Sequence, residues 1–323
     1  MLYDRIVNDG TIDDPQGKPN PQFALPSTIN WMNSLRYIVD DTGLDFATAV
    51  QFYIQQGRRP MPDNVQNSVM EQLFLALHHL SALEAAESAN SPADFSRIAV
   101  LAWYYGIYNA ASAMIAAKNG SSQETHAGTA KMWDTEFAAT GLAMEPFERR
   151  VSSLEAKVYK PEIAAYKVGN AGDLQSQPTS IAEARGAVIS YLSGTADWYA
   201  SYETDKVRDF SAYKKLGKSD FRTKAARKIR DAHLAKKAVG FVHEAYRYRG
   251  KANYREALFL GYGKNTGAQL TNFVSDQVVV LRGFLAMAGA FASRKLGAQL
   301  WTDFVADVDA NKAFSTTAAG TWS

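Results

Sequence analysis

The chain has no cysteine. That excludes disulfides, thiolate zinc sites, cysteine nucleophiles and thiolate-bound iron–sulfur clusters together. A cytoplasmic location suits such a composition. The opening residues also lack a basic stretch followed by an apolar run. Residues 1–28 are polar and rich in Pro, Asn and Asp, so no cleaved signal peptide is expected. The most apolar stretch, around Val278–Ala292, is interrupted by Arg282, Gly283 and Gly289. It reads as a buried helix, too short and too broken for a membrane span. Strand-like alternation bounded by hairpin turns is hardly visible, and there is no repeat of fixed period. The run GYGKNTG at 261–267 has neither phosphate-loop spacing nor a strand before it, and reads as a helix–helix turn. No serine elbow, dinucleotide fingerprint or pair of catalytic carboxylates is present.

What is there is a helical pattern. At 323 residues, 46% hydrophobic and 21% charged, the chain has the composition of a soluble globular protein of one large or two ordinary domains. Val65, Val69, Leu73, Leu77 and Leu80 recur at spacings of three and four, one apolar stripe over 64–88. Ser91-Pro92-Ala93-Asp94 has the residues of a helix start, and Gly120 those of a helix end. Ser180-Ile181-Ala182-Glu183 is a capping box opening a helix that carries Val188, Tyr191, Leu192 and Trp198. Val168–Thr179 is polar and turn-rich and reads as an internal loop. The predicted fold class is all-α.

The charge is unevenly spread. Between Asp205 and Glu256 stand sixteen Lys/Arg and six Asp/Glu, a net of +10, whereas the whole chain carries only +2. The remainder therefore sums to −8. A basic segment on an acidic protein suggests a local site for a polyanion. The competing reading is a solvated helix face, neutralised by acids of the same chain.

Residues 101–166 carry the most specific pattern. Trp103, Tyr104, Tyr105 and Tyr108 stand beside Gly106, Ala110, Ala111 and Ala113 on one expected helix. Gly120 ends it, Thr125-His126 opens the next, and Phe137 and Gly141-Leu142 lead to a third running from Met144. With the helix at Ile181–Tyr202, this order over residues 68–203 resembles the HEPN superfamily of small α-helical RNases, toxins and nucleotide-binding partners. The resemblance implies an HEPN-like bundle in a toxin–antitoxin or anti-phage setting. It also implies a place for the family's Arg and His, four to six residues apart on a late helix. Here that stretch is Lys157–Tyr166 and contains neither Arg nor His.

The candidate chemistry therefore moves to the basic segment. Arg227 and His233 have the Arg-x5-His spacing, although six helical residues turn through ~240° and separate their faces. Arg230 and His233, and His243 and Arg247, sit at same-face spacings. His243 and His233 are the acid–base candidates, with Arg247, Arg227 or Arg230 stabilising phosphate charge. Arg230, Lys236, Lys237, Arg249, Lys251, Tyr254 and Arg255 are the candidate nucleic-acid contacts, because cations bind phosphates and tyrosine faces stack on unpaired bases. His126 is expected to order the turn at its helix start, and His78-His79 to lie at the core edge. No metal or cofactor is expected.

The expected organisation is an N-terminal extension (1–62), an HEPN-like helical bundle (63–204), a basic C-terminal helical region (205–312) and a flexible tail (313–323). Two functions follow. One is nucleic-acid binding, RNA above all, with metal-independent endoribonuclease activity if the protein is an enzyme. The other is a non-catalytic helical subunit that dimerises or docks a protein partner. No membrane partner is expected in either.

Overall fold

The computed structural model describes residues 9–10, 15–16, 21–122, 124–253, 258, 260–261 and 266–323. The protein is all-α, about 72% helical. Among the described residues the strands form two ladders of two residues each: β1 (Asp9–Gly10) with β2 (Pro15–Gln16), and β3 (Arg150–Val151) with β4 (Val239–Gly240), both antiparallel.

The helices are α1 (Pro21–Asp41), α2 (Phe46–Phe52), α3 (Asp63–Glu87), α4 (Ser96–Asn119), α5 (His126–Glu136), α6 (Ala156–Tyr166) and α7 (Ile181–Val207). After these come α8 (Ser211–Lys214), α9 (Lys224–Leu234), α10 (Phe241–Asn253), α11 (Gly267–Leu296), α12 (Ala298–Asn311) and α13 (Ala318–Trp322). Many of the local signals act as the sequence indicates. Val69, Leu73, Leu77 and Leu80 are buried on α3. Gly120 ends α4 in the left-handed conformation, φ 80°. Thr125 caps α5, its hydroxyl accepting from Gly128 N. Ser180 caps α7 by accepting from Glu183 N, and the Glu183 carboxylate reaches back one residue beyond the cap to Thr179 N. The Ser91 side chain, by contrast, makes no cap bond. Pro92–Phe95 forms a 3-10 turn, and α4 begins after it.

The helix expected from Met144 is displaced. Residues 143–155 are irregular apart from β3, and helix resumes only at Ala156. Pro146 cannot supply a backbone donor to a helix. Arg150–Val151 pairs instead with Val239–Gly240, far away in the chain.

One hydrophobic core includes residues on both sides of the expected boundaries at 62/63 and 204/205. Trp31 of α1 stacks on Tyr191 of α7 at 4.2 Å and meets Trp103 of α4 edge-on at 5.9 Å. Tyr248 of α10 closes on Trp31 at 4.7 Å and donates to Thr28 O. Phe284 of α11 packs on Phe241 and Phe147. The supposed extension and the supposed basic region thus supply the centre of the bundle. Burial of large apolar side chains, at about 1.5–3 kcal/mol each, outweighs any boundary suggested by surface charge.

α11 lies at the middle, packed against α1, α2, α3 and α4. It is 30 residues long, longer than its sequence indicated. By length and composition the segments 92–119 and 267–296 could each cross a membrane, but 67% and 83% of their most apolar windows are buried inside the protein. The tail does not hang free. Residues 318–322 form α13, and Trp322, 2% exposed, donates its indole N–H to Leu285 O of α11. Its ring buries against Trp301 and Phe304, which is what holds the segment down.

Candidate nucleic-acid interface

Over its last three turns α7 buries Glu203 and Val207 and leaves other side chains to solvent. Trp198 and Tyr202, one helical turn apart, are 44% and 46% exposed. Their rings stack at 5.4 Å with only 9° between planes. Trp198 was placed by its sequence among apolar helix residues, yet nearly half of it is left to solvent. A cation stands at each end of the stack. The Arg247 guanidinium lies 5.5 Å from the Trp198 ring centre, anchored by a 3.1 Å hydrogen bond to Thr195 Oγ1. Lys206 Nζ lies 4.1 Å from the Tyr202 ring centre. Cation–π attraction of this kind is worth about 0.5–1 kcal/mol at exposed sites and fixes both partners in place.

α9 packs beside α7 and presents Lys224, Arg227 and Lys228 to solvent, with Lys236 just beyond its end. No carboxylate pairs with these four among the described residues. Several other cations of the segment are paired with carboxylates. Arg208 pairs with Asp205, Lys214 with Asp209, Arg222 with Asp220, and Arg230 with Asp231. Lys206, Lys237 and His233 converge on one buried carboxylate, Glu203, at 2.8, 3.1 and 2.7 Å. Intramolecular neutralisation is therefore real but partial. A groove of about 400 Å³ between α9 and the start of α8 is lined by Phe210, Lys228, Ile229, Ala232, His233 and Lys236.

The candidate catalytic pairs are not assembled. Arg227 points to solvent, whereas His233 is held against Glu203 and under the Phe210 ring. Burial opposes ionisation of Glu203, but hydrogen bonds from Lys206, His233 and Lys237 outweigh it and hold the carboxyl at about 2. His243 and Arg247 do share the α7-facing side of α10. His243 meets Tyr199 edge-on at 5.8 Å and accepts weakly from Gly240 N at 3.4 Å. Burial lowers its pKa to about 4, with Arg150 and Lys237 reinforcing and Asp134 opposing. At neutral pH it is an uncharged, packed imidazole beside the β3–β4 ladder. Between them, Glu244 is 1% exposed, and burial raises its pKa well above the ordinary 4.5.

Of the other expected contacts, Arg230 rests on Phe221, Lys251 lies over Tyr191, and Arg249 points toward α4 and α5. Tyr254, Arg255 and the Gly261–Gly267 run lie wholly or mostly outside the described residues. His78 and His79 stack on Phe314 and Tyr105. No cluster of three metal-ligating side chains occurs among the described residues. The residues missed by sequence reasoning are Tyr202 and Lys206. Trp198, Tyr202 and Lys206 at i, i+4 and i+8 were the available signal. No family model, curated protein or solved structure matches this chain.

Proposed function

We propose that the protein binds single-stranded nucleic acid, RNA by preference, along the face made by α7, α9 and α10. The observation that carries this reading is the exposed Trp198–Tyr202 stack with Arg247 and Lys206 at its two ends. Arg247 and Lys206 cover the outer faces of the pair, so an unpaired base stacks on the Arg247 guanidinium plane or takes a cation's place on its ring, base–aromatic stacking being worth about 1–3 kcal/mol per base. Lys224, Arg227, Lys228 and Lys236 supply cations for the phosphates beside that platform. The choice of RNA rests on the resemblance to HEPN proteins over residues 68–203. Cleavage through His233 or His243 is not included, since one is committed to Glu203 and the other is packed and neutral.

The test is fluorescence anisotropy with labelled single-stranded RNA, in the absence of metal. Trp198→Ala and Tyr202→Ala are each expected to weaken binding about tenfold or more, at unchanged thermal stability. Neutralising Lys224, Arg227 and Lys228 together should reduce the salt slope of log affinity by about 2. RNA binding that is absent in the parent protein, or that survives both ring removals, overturns the reading. Protein capture through the same rings, the scaffold reading, would show little of this salt dependence.

A further inference from the structure

Arg247 and Arg249 leave α10 on opposite sides, as residues two apart on a helix do. Arg249 enters a nest of rings between α4 and α5. Its Cζ lies 5.4 Å from the Tyr104 ring centre and 5.3 Å from that of Tyr246. One terminal nitrogen reaches Tyr105 Oη and His126 Nε2, each at 3.4 Å. Its Nε is buried and donates to nothing. No carboxylate among the described residues forms an ion pair with it.

His126 completes the nest. Its Nδ1 lies 2.8 Å from Tyr104 Oη, its ring stacks on Tyr246 at 5.6 Å, and Tyr108 meets it edge-on at 4.6 Å. A guanidinium has only donors, so Nε2 is the acceptor and Nδ1 carries the proton, donating to Tyr104. Burial, reinforced by the charge of Arg249, lowers the His126 pKa. Among the described residues the nest thus holds one fixed positive charge, several phenol groups and no counter-charge. A guanidinium partly withdrawn from water and left without an anion is destabilising. Its planar fork matches a phosphate, and the first turn of α5, which opens at His126, directs its positive dipole end to the same place. Tyr105, Tyr108, His126, Tyr246 and Arg249 all remain partly exposed, so a solute can reach them.

We infer that Arg249, His126 and the tyrosines 105, 108 and 246 form an oxyanion pocket that takes a phosphate group. The pocket lies on the α4–α5 side of α10, whereas the stacked rings lie on the α7 side, so it stands or falls independently of the nucleic-acid face. Free phosphate, a nucleotide and a phosphorylated strand end present the same group.

The experiment follows the histidine ring resonances of isotope-labelled protein at constant ionic strength, with His126 assigned through His126→Gln. The additions are inorganic phosphate, a nucleoside monophosphate, and one oligonucleotide with and without a 5′-phosphate. Saturable movement of the His126 signals with inorganic phosphate is expected. Arg249→Gln should weaken it about tenfold or more, and Arg249→Lys, which keeps the charge but loses the fork, by an intermediate factor. Tighter response to the monophosphate identifies a nucleotide ligand, and tighter response to the 5′-phosphorylated strand alone identifies a strand end. Either refines the proposal. No saturable movement in the parent overturns it. So does an Arg249→Gln protein with parental circular dichroism that titrates like the parent.

Discussion

Glu203 of α7 and His233 of α9 face each other with 2.7 Å between Oε2 and Nε2, and the same carboxylate also receives Lys206 and Lys237. One buried acid therefore gathers three groups of the basic segment and pins α9 to α7. It also explains why the segment's net charge overstates what solvent sees.

That arrangement has an acid limit. The Glu203 carboxyl sits at about 2 in the folded protein, below its ordinary 4.5. A depressed acid contributes stability that is complete above the unfolded value and lost as pH falls through the folded one. The loss thus develops between about pH 4.5 and pH 2. Lys206 and Lys237 are 45% and 41% exposed, so solvent screening reduces the contribution to about 1–2 kcal/mol. Glu203→Gln should lower stability by that amount at neutral pH and flatten this acid limb. Urea unfolding at a series of pH values measures both effects, and an unchanged limb in the variant would show that Glu203 does not pin α9.

His243 gives a second, separate window. Its folded pKa of about 4 lies below the ordinary 6.5, because burial disfavours the charged ring. The folded state binds this proton less readily than the unfolded chain, so stability is lost as pH falls from about 6.5 to about 4. The loss is up to about 3 kcal/mol across that range. His243→Leu should remove this limb while leaving the lower one. Chemical denaturation at pH 7 and pH 5 decides it. Equal stability of the parent at the two pH values would refute the assignment.

Trp322 is expected to behave as a core residue. Its ring is buried on Trp301 and Phe304, and its N–H is paired to Leu285 O. Trp322→Ala should cost about 3–5 kcal/mol. Trp322→Phe, which keeps most of the volume but loses that hydrogen bond, should cost less. Thermal unfolding ranks the two. A loss under 1 kcal/mol for the alanine variant would mean that α13 docks without stabilising.

The helical character was legible wherever the deciding chemistry is local. The Ser180 and Thr125 caps, the end at Gly120 and the stripe on α3 all involve residues within a turn or two of one another. The boundary near residue 205 was read from charge, which marks surface, whereas α11 is buried all round over 283–292 and Tyr248 of α10 packs on Trp31 and Trp103. The late start of α6 depends on the pairing of Val151 with Val239, which no local window contains. The candidate site divides the same way. The basic segment was visible as composition. That Trp198 is left half-exposed, or that Arg249 meets His126 across more than a hundred residues, follows only from how α7 and α10 cross the bundle.

The place of α11 also constrains biosynthesis. α1, α3 and α4 leave the ribosome with apolar faces whose cover is a helix still to be translated. From residue 119 to residue 296, at ~5–20 residues per second, takes roughly 10–35 s. Through that interval the nascent chain lacks Leu281, whose side chain closes over Gly106 of α4 in the finished bundle. Such a chain needs a holding chaperone early in its life, and its yield in cells should respond to chaperone supply more sharply than the stability of the finished bundle would indicate.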